Sequence, residues 1–205
     1  MAKLHEGQSS VSVLITQENE SFILDGRFGS INDNICWLLP IESMYLASIE
    51  RLEFEAMTVK MAWITFIKKD ATFVSRYALY HHYRAQGWIV QSGLAYGTVY
   101  ALYRFSPNQV HSEYLVHFDP ANKPMSWSNM QMLTRLSEDV KKTILLCQLH
   151  FGKLPENAIE IKTPHVTVGI SEIMFRYWSA QCLPEISHEA YIMQPSETIL
   201  KRKRR

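Results

Sequence analysis

The stretch Tyr80-His81-His82-Tyr83-Arg84-Ala85-Gln86-Gly87-Trp88-Ile89-Val90-Gln91-Ser92-Gly93-Leu94-Ala95-Tyr96-Gly97 changes period partway along, and that change decides the fold class. Its first half closes a helix. Phe73, Tyr77 and Tyr80 recur at helical spacing, Arg84 follows one turn on, Asp70 is the expected N-cap, and Gly87 is the natural stop. Its second half opens a sheet: Trp88-Ile89-Val90 is a short apolar run, and Gly93 and Gly97 punctuate a turn.

Downstream, Val99–Phe105 and Glu113–Phe118 carry the β-branched and aromatic residues of strands. Ser126 can cap a helix with the apolar stripe Trp127, Met130, Leu133, Leu136 and Val140. Thr143–Leu149 reads as a buried strand, and Ile159–Ile161 and Ile173–Trp178 are expected to close the sheet. Upstream, residues 1–10 are polar and expected to be loose. Val11, Val13 and Ile15 alternate as a strand, and Phe22-Ile23-Leu24 is taken as a second one. Asp25-Gly26 and Phe28-Gly29 look like turns. Pro40 opens a helix containing Met44, Leu46 and Ile49, and another spans Met57–Ile67. The order is that of an α+β (mixed α/β) protein. The expected division is 1–69 as an N-terminal α/β domain, 70–190 as a C-terminal domain, and 191–205 as a basic tail.

The chain has 205 residues, 47% hydrophobic and 20% charged, enough to bury a core. No window is apolar enough to span a membrane, the N-terminus lacks a signal-peptide core, and Cys36, Cys147 and Cys182 are too few and too dispersed for a disulfide framework. Net charge is +1, but Lys201-Arg202-Lys203-Arg204-Arg205 ends the chain. Removing those five from 21 basic residues leaves 16 against 20 acidic, a body of charge −4. Contact with nucleic acid must then be focused or shared with another subunit. The tail reads either as a nuclear localisation patch or nucleic-acid arm, or as a solvated end.

Familiar catalytic signatures are missing. There is no G-x-x-x-x-G-K-[ST], no H-E-x-x-H and no G-x-S-x-G, and the adjacent His81 and His82 point to different helix faces, so they cannot share a metal. One constellation stands apart. Tyr103 lies near a strand end, a loop with Pro107 and Asn108 follows, and His111 begins the next strand. Lys142 falls where a helix gives way to a buried strand. A base for a ribose 2′-hydroxyl, an acid for a 5′-oxygen leaving group and a cation for the phosphorane suffice to cleave RNA without a metal. Histidine suits the acid role near neutral pH, whereas tyrosine is a weak base unless its environment lowers its pKa. The plain alternative is a strand-end tyrosine, a loop histidine and a solvated lysine.

Taken as words in order, the quoted run, Leu102-Tyr103-Arg104, His111-Ser112-Glu113-Tyr114, Pro124-Met125-Ser126-Trp127, Leu133-Thr134-Arg135-Leu136-Ser137 and Val140-Lys141-Lys142 resemble the tRNA-splicing endonuclease family. Ile41-Glu42-Ser43-Met44-Tyr45-Leu46 resembles its N-terminal helix. The likeness covers about residues 38–180 and leans towards the eukaryotic catalytic subunit that cuts the 5′ splice site. It implies an N-terminal α/β lobe, a restriction-endonuclease-like nuclease lobe, and cleavage of intron-containing precursor tRNA to 2′,3′-cyclic phosphate and 5′-hydroxyl ends. It implies Tyr103 as base, His111 as acid and Lys142, seven residues after Arg135, as the transition-state cation. Arg135, with Trp178 as a second candidate, would stack on a flipped-out base. Neither a cofactor nor a metal is implied. The partners implied are precursor tRNA and other endonuclease subunits, in a heterotetramer, with Ile173–Trp178 as the pairing edge. The basic tail suggests the nucleus, with the cytoplasm as the alternative. Gln91 and Ala95 stand where the family usually has lysines, and Val99 where it often has aspartate. The competing readings are a non-catalytic scaffold subunit and a general RNA-binding module.

Overall fold

The computed structural model describes residues 2–4, 10–119, 125–151 and 168–176. Val11 and Val13 face inward from β2 (Val11–Leu14), which pairs antiparallel with β1 (Ala2–Leu4) and with β4 (Ile35–Leu38); β3 (Ser30–Asn32) completes a sheet of order β1-β2-β4-β3. The β3–β4 hairpin turns through Asp33 and Asn34, both at positive φ, the backbone of a type I′ turn. Ala2–Leu4 is a strand rather than part of a loose terminus. Ala2 is buried, its N–H donates to Glu53 O, and its carbonyl accepts from Glu55 N.

Phe22-Ile23-Leu24 lies in a helix, α1 (Glu20–Gly26), not in a strand. Asn19 redirects the chain there: its Oδ1 accepts from Thr16 N and its Nδ2 donates to Leu14 O. Over seven residues only Ile23 is buried, too little for a 3.6-residue period to show in sequence. Asp25-Gly26 is the end of this helix, closed by Arg27 in the left-handed conformation.

Three helices follow: α2 (Pro40–Ser48), α3 (Val59–Lys69) and α4 (Phe73–Ala85). In α2, Pro40 occupies the first turn, where its missing N–H costs nothing, and the buried Glu42 reaches back to accept from Leu39 N and, across the lobe, from Gly29 N. Burial holds the Glu42 carboxyl above the usual carboxylate range, against those two backbone hydrogen bonds and the Arg84 charge. The expected cap Asp70 sits just outside α4; Thr72 is its N-cap residue. Asp70 Oδ1 instead accepts from Thr72 N and Oγ1, and Oδ2 pairs with Arg76 at 3.1 Å. Gly87, at φ 85°, ends the segment as expected.

The second sheet has the order β5-β6-β7-β8-β9: β5 (Ile89–Ser92), β6 (Tyr100–Tyr103), β7 (Tyr114–Phe118), β8 (Thr143–Phe151) and β9 (Val168–Phe175). All neighbours are antiparallel except β7 and β8, which are parallel and joined by a crossover through α5 (Trp127–Val140). Alternation along these strands feeds two cores. Leu102, Val116, Leu145 and Cys147 join Trp63, Tyr77 and the first sheet in one continuous core, while Ala101, Leu115, Ile144 and Leu146 pack with Leu133 of α5. The α+β architecture expected from sequence is the one observed. The α5 stripe is only half used: Leu133 is buried, Leu136 and Val140 are partly covered, and Trp127 is 71% exposed. Ile159–Ile161, Trp178, Cys182 and the basic tail lie outside the described residues.

Arg84, part of the opening stretch, joins the two sheets' surroundings. It is buried, donates from Nη1 to Gly26 O at 2.7 Å and from Nε to the Tyr80 hydroxyl at 2.9 Å, and lies 4.2 Å above the Phe28 ring. Gln91 does similar work, donating to Arg27 O at 2.7 Å.

Candidate active site

Strand direction alone brings Tyr103, His111 and Lys142 to one end of the second sheet. Tyr103 is the last residue of β6, which runs antiparallel to β7 with Leu102 opposite Tyr114. His111 lies three residues before the start of β7. Lys142 immediately precedes β8, which starts beside β7 with Thr143 opposite Tyr114. The C-terminal end of β6 and the N-terminal ends of β7 and β8 therefore lie together.

The loop from Tyr103 to His111 is shut at its base. Glu113 N donates to Leu102 O at 2.9 Å, and Arg104 pairs with both carboxylate oxygens of Glu113, at 3.2 and 3.3 Å. The Arg104 guanidinium also lies 4.0 Å over the Trp88 ring, which meets Tyr114 edge-on. Within the loop, Gln109 N and Val110 N both donate to Ser106 O. His111 is carried on this closed loop and is exposed.

Lys142 is aimed by the end of α5. Ser126 Oγ accepts from Asn129 N at the start of that helix, as the sequence suggests. At its other end Lys141 takes the left-handed conformation (φ 51°), Lys141 N donates to Glu138 O and Lys142 N to Ser137 O. This is the Schellman closure, here without the usual glycine. It turns the chain so that Lys142, half-buried, donates from Nζ to Ser112 O at 3.0 Å, with the Tyr96 ring 5.8 Å away. Lys141 is exposed.

Tyr103 is partly buried against the α5-side core, beside Tyr96 of the short 3-10 turn Leu94–Tyr96. Burial, and then the neighbouring Tyr96 phenol, hold its hydroxyl above the ordinary tyrosine value; the adjoining Ser112 hydroxyl pulls the other way. The free site thus holds Tyr103 as a neutral phenol at pH 7. Ser112 is 94% buried by its 6% exposure, and among the described residues its Oγ has no fully formed hydrogen bond.

Arg135 is exposed on the outer face of α5, one and a half turns before the helix ends. Trp178 lies outside the described residues. Ser112, Tyr96 and the Arg104–Glu113 pair are the members that sequence reasoning did not single out. The pair was legible in principle, because residues flanking Tyr103 and Ser112 must face each other once two strands leave a closed loop. Among the described residues, no cluster of three or more His, Cys, Asp or Glu side chains could hold a metal ion, and His82 instead meets Gln86 and Glu172. The arrangement offers a phenol, an imidazole and an ammonium, groups that can serve as base, acid and cation in the cleavage of a phosphodiester.

Residues 73–154 match the family described as tRNA intron endonuclease, catalytic C-terminal domain. The chain is 30% identical over 136 residues to tRNA-splicing endonuclease subunit Sen2 of Mus musculus, covering 62% of this chain and 29% of that protein. It is 25% identical over 181 residues to subunit SEN2 of Saccharomyces cerevisiae, covering 83% of this chain and 48% of the relative. It is also 29% identical over 150 residues to the tRNA-splicing endonuclease of Methanopyrus kandleri, covering 71% of this chain and 81% of the relative. The chain therefore spans under a third of the length of the vertebrate relatives it matches.

Proposed function

We propose that this chain, whose residues 73–154 match the catalytic C-terminal domain of the tRNA intron endonuclease family, is the cleaving subunit of a tRNA-splicing endonuclease acting on intron-containing precursor tRNA. The observation that carries the reading is the convergence of Tyr103, His111 and Lys142 at one end of the second sheet, with Lys142 fixed to Ser112 O next to His111.

In the proposed step Tyr103, having lost its own proton to solvent, takes the proton of a ribose 2′-hydroxyl. The 2′-oxygen forms a bond to phosphorus, the bond from phosphorus to the 5′-oxygen breaks, and His111 gives that oxygen a proton. Lys142 faces the charge that builds on the non-bridging oxygens. The products are a 2′,3′-cyclic phosphate and a 5′-hydroxyl, and the proton count balances with one base and one acid. Arg135, one face of α5 away, grips an unstacked base near the cut, with Trp178 in the same role.

The same reading includes the finer points of assembly and place. The N-terminal α/β domain is 1–69, the catalytic domain 70–190 and the basic tail 191–205. The 5′ splice site is the one cut. The partners are other endonuclease subunits, in a heterotetramer. Support for pairing through β9 comes from its position at the sheet edge and from exposed Ile173 and Met174. The run Lys201–Arg205 supports a nuclear location. The test is to incubate the chain, with its co-purified partners, with intron-containing precursor tRNA in EDTA and to analyse the fragment ends. Cyclic phosphate at an exon–intron junction is the expected result; binding without cleavage would make the chain a scaffold or an RNA-binding module.

A further inference from the structure

Ser112 is linked to each of Tyr103, His111 and Lys142. It follows His111 in sequence, its carbonyl accepts from Lys142 Nζ at 3.0 Å, and its side chain adjoins the Tyr103 hydroxyl. Its Oγ is buried and, among the described residues, lacks a fully formed hydrogen bond. A buried hydroxyl in that state is costly relative to a satisfied one, and such groups call for an explanation. A methyl group would fill the same space with no penalty. The hydroxyl is also free to rotate, so it can donate to an oxygen that gains charge.

We infer that Ser112 is a positioning residue for RNA cleavage: its unsatisfied hydroxyl turns to donate to the Tyr103 oxygen when that oxygen becomes a base, while its carbonyl holds Lys142 in place. The inference rests on the reading of Tyr103 as the base. It explains how a phenol held neutral by burial is made usable. The donor is already desolvated and adjacent, so no water need be removed when the phenolate forms. Burial of Tyr103 and the nearby Tyr96 phenol act against ionisation, and the Ser112 hydroxyl acts for it.

Ser112→Ala removes the hydroxyl and leaves the carbonyl and its bond to Lys142. The variant should fold with unchanged or slightly raised stability, because an unsatisfied polar group is lost. Two readouts test the idea. The 13Cζ shift of Tyr103, assigned by comparison with Tyr103→Phe, follows its ionisation in the chain itself. It should titrate at higher pH in Ser112→Ala. Single-turnover cleavage by the partner-containing complex at saturating precursor tRNA should fall about tenfold at neutral pH, with RNA affinity unchanged. An unmoved Tyr103 titration overturns the inference, whatever happens to the rate. A moved titration with an unchanged rate overturns it as well. If the wild-type complex cleaves nothing, the functional reading fails, and the titration still decides whether Ser112 acts on Tyr103.

Discussion

Lys142 Nζ donates a 3.0 Å hydrogen bond to the backbone carbonyl of Ser112, across the gap between the start of β8 and the loop that carries His111. Lys141, its neighbour, closes α5 and is exposed. Two adjacent lysines are thus sorted by a single left-handed residue. Lys142→Ala should lower single-turnover cleavage by about 10²–10³-fold, the usual loss for one transition-state charge contact. Lys141→Ala should change it by less than about threefold, since an exposed cation contributes little at short range. Equal losses in the two variants would mean that the lysines act as diffuse charge on the RNA backbone.

The left-handed Lys141 carries a backbone cost that glycine does not. Lys141→Gly should stabilise the protein by roughly 0.5–1 kcal/mol, because only the helix closure itself needs φ near 51°. Chemical denaturation of the variant and parent checks this. A loss of stability would show that the Lys141 side chain makes contacts that outweigh the strain.

Arg84, in the opening stretch, serves the fold. Its removal strands the Gly26 carbonyl and the Tyr80 hydroxyl and empties the space over Phe28. Arg84→Ala should destabilise by about 2–4 kcal/mol, seen as a lower denaturation midpoint. Arg84→Lys should recover less than half of that, since a lysine cannot make the same forked contacts. Full recovery by lysine would reduce the role of Arg84 to charge alone.

Tyr103 ionises above the ordinary tyrosine value in the free site, with burial as the main cause. A substrate whose leaving 5′-oxygen is replaced by sulfur needs little protonation by an acid. His111→Ala should therefore cleave it at close to the wild-type rate while failing on normal RNA. With that substrate and His111 removed, the rate should rise about tenfold per pH unit through neutral pH, because the phenolate fraction does so below the pKa. The sign follows from the role: a base held protonated gains activity as pH rises. A rate that is flat over pH 6–9 would remove Tyr103 as the base.

The sequence disclosed the second sheet better than the first. Gly87 and Gly97, both at positive φ, mark ends that only a few conformations satisfy, and β8 is buried on both faces, so its apolar run is continuous. Around Phe22-Ile23-Leu24 the deciding group is the Asn19 side chain, which holds Thr16 N and Leu14 O, and no local period reveals that. The Asp33-Asn34 turn lacks the glycine that marks most such hairpins. In the site, Tyr103, His111 and Lys142 were legible as residue types at element ends, because strand ends are where side chains meet. Ser112 was not. Its meaning lies in a missing hydrogen bond, which exists only once β6, β7 and β8 are assembled.

The most direct measurement reconstitutes the partner-containing complex with His111→Ala in this chain alone and follows both exon–intron junctions of a precursor tRNA in EDTA. The mechanism predicts that cleavage at the junction served by this chain is lost, that its 2′,3′-cyclic phosphate disappears with it, that the other junction is still cut, and that tRNA binding is unchanged. Cleavage of both junctions at the wild-type rate would contradict it and place the chemistry in another subunit.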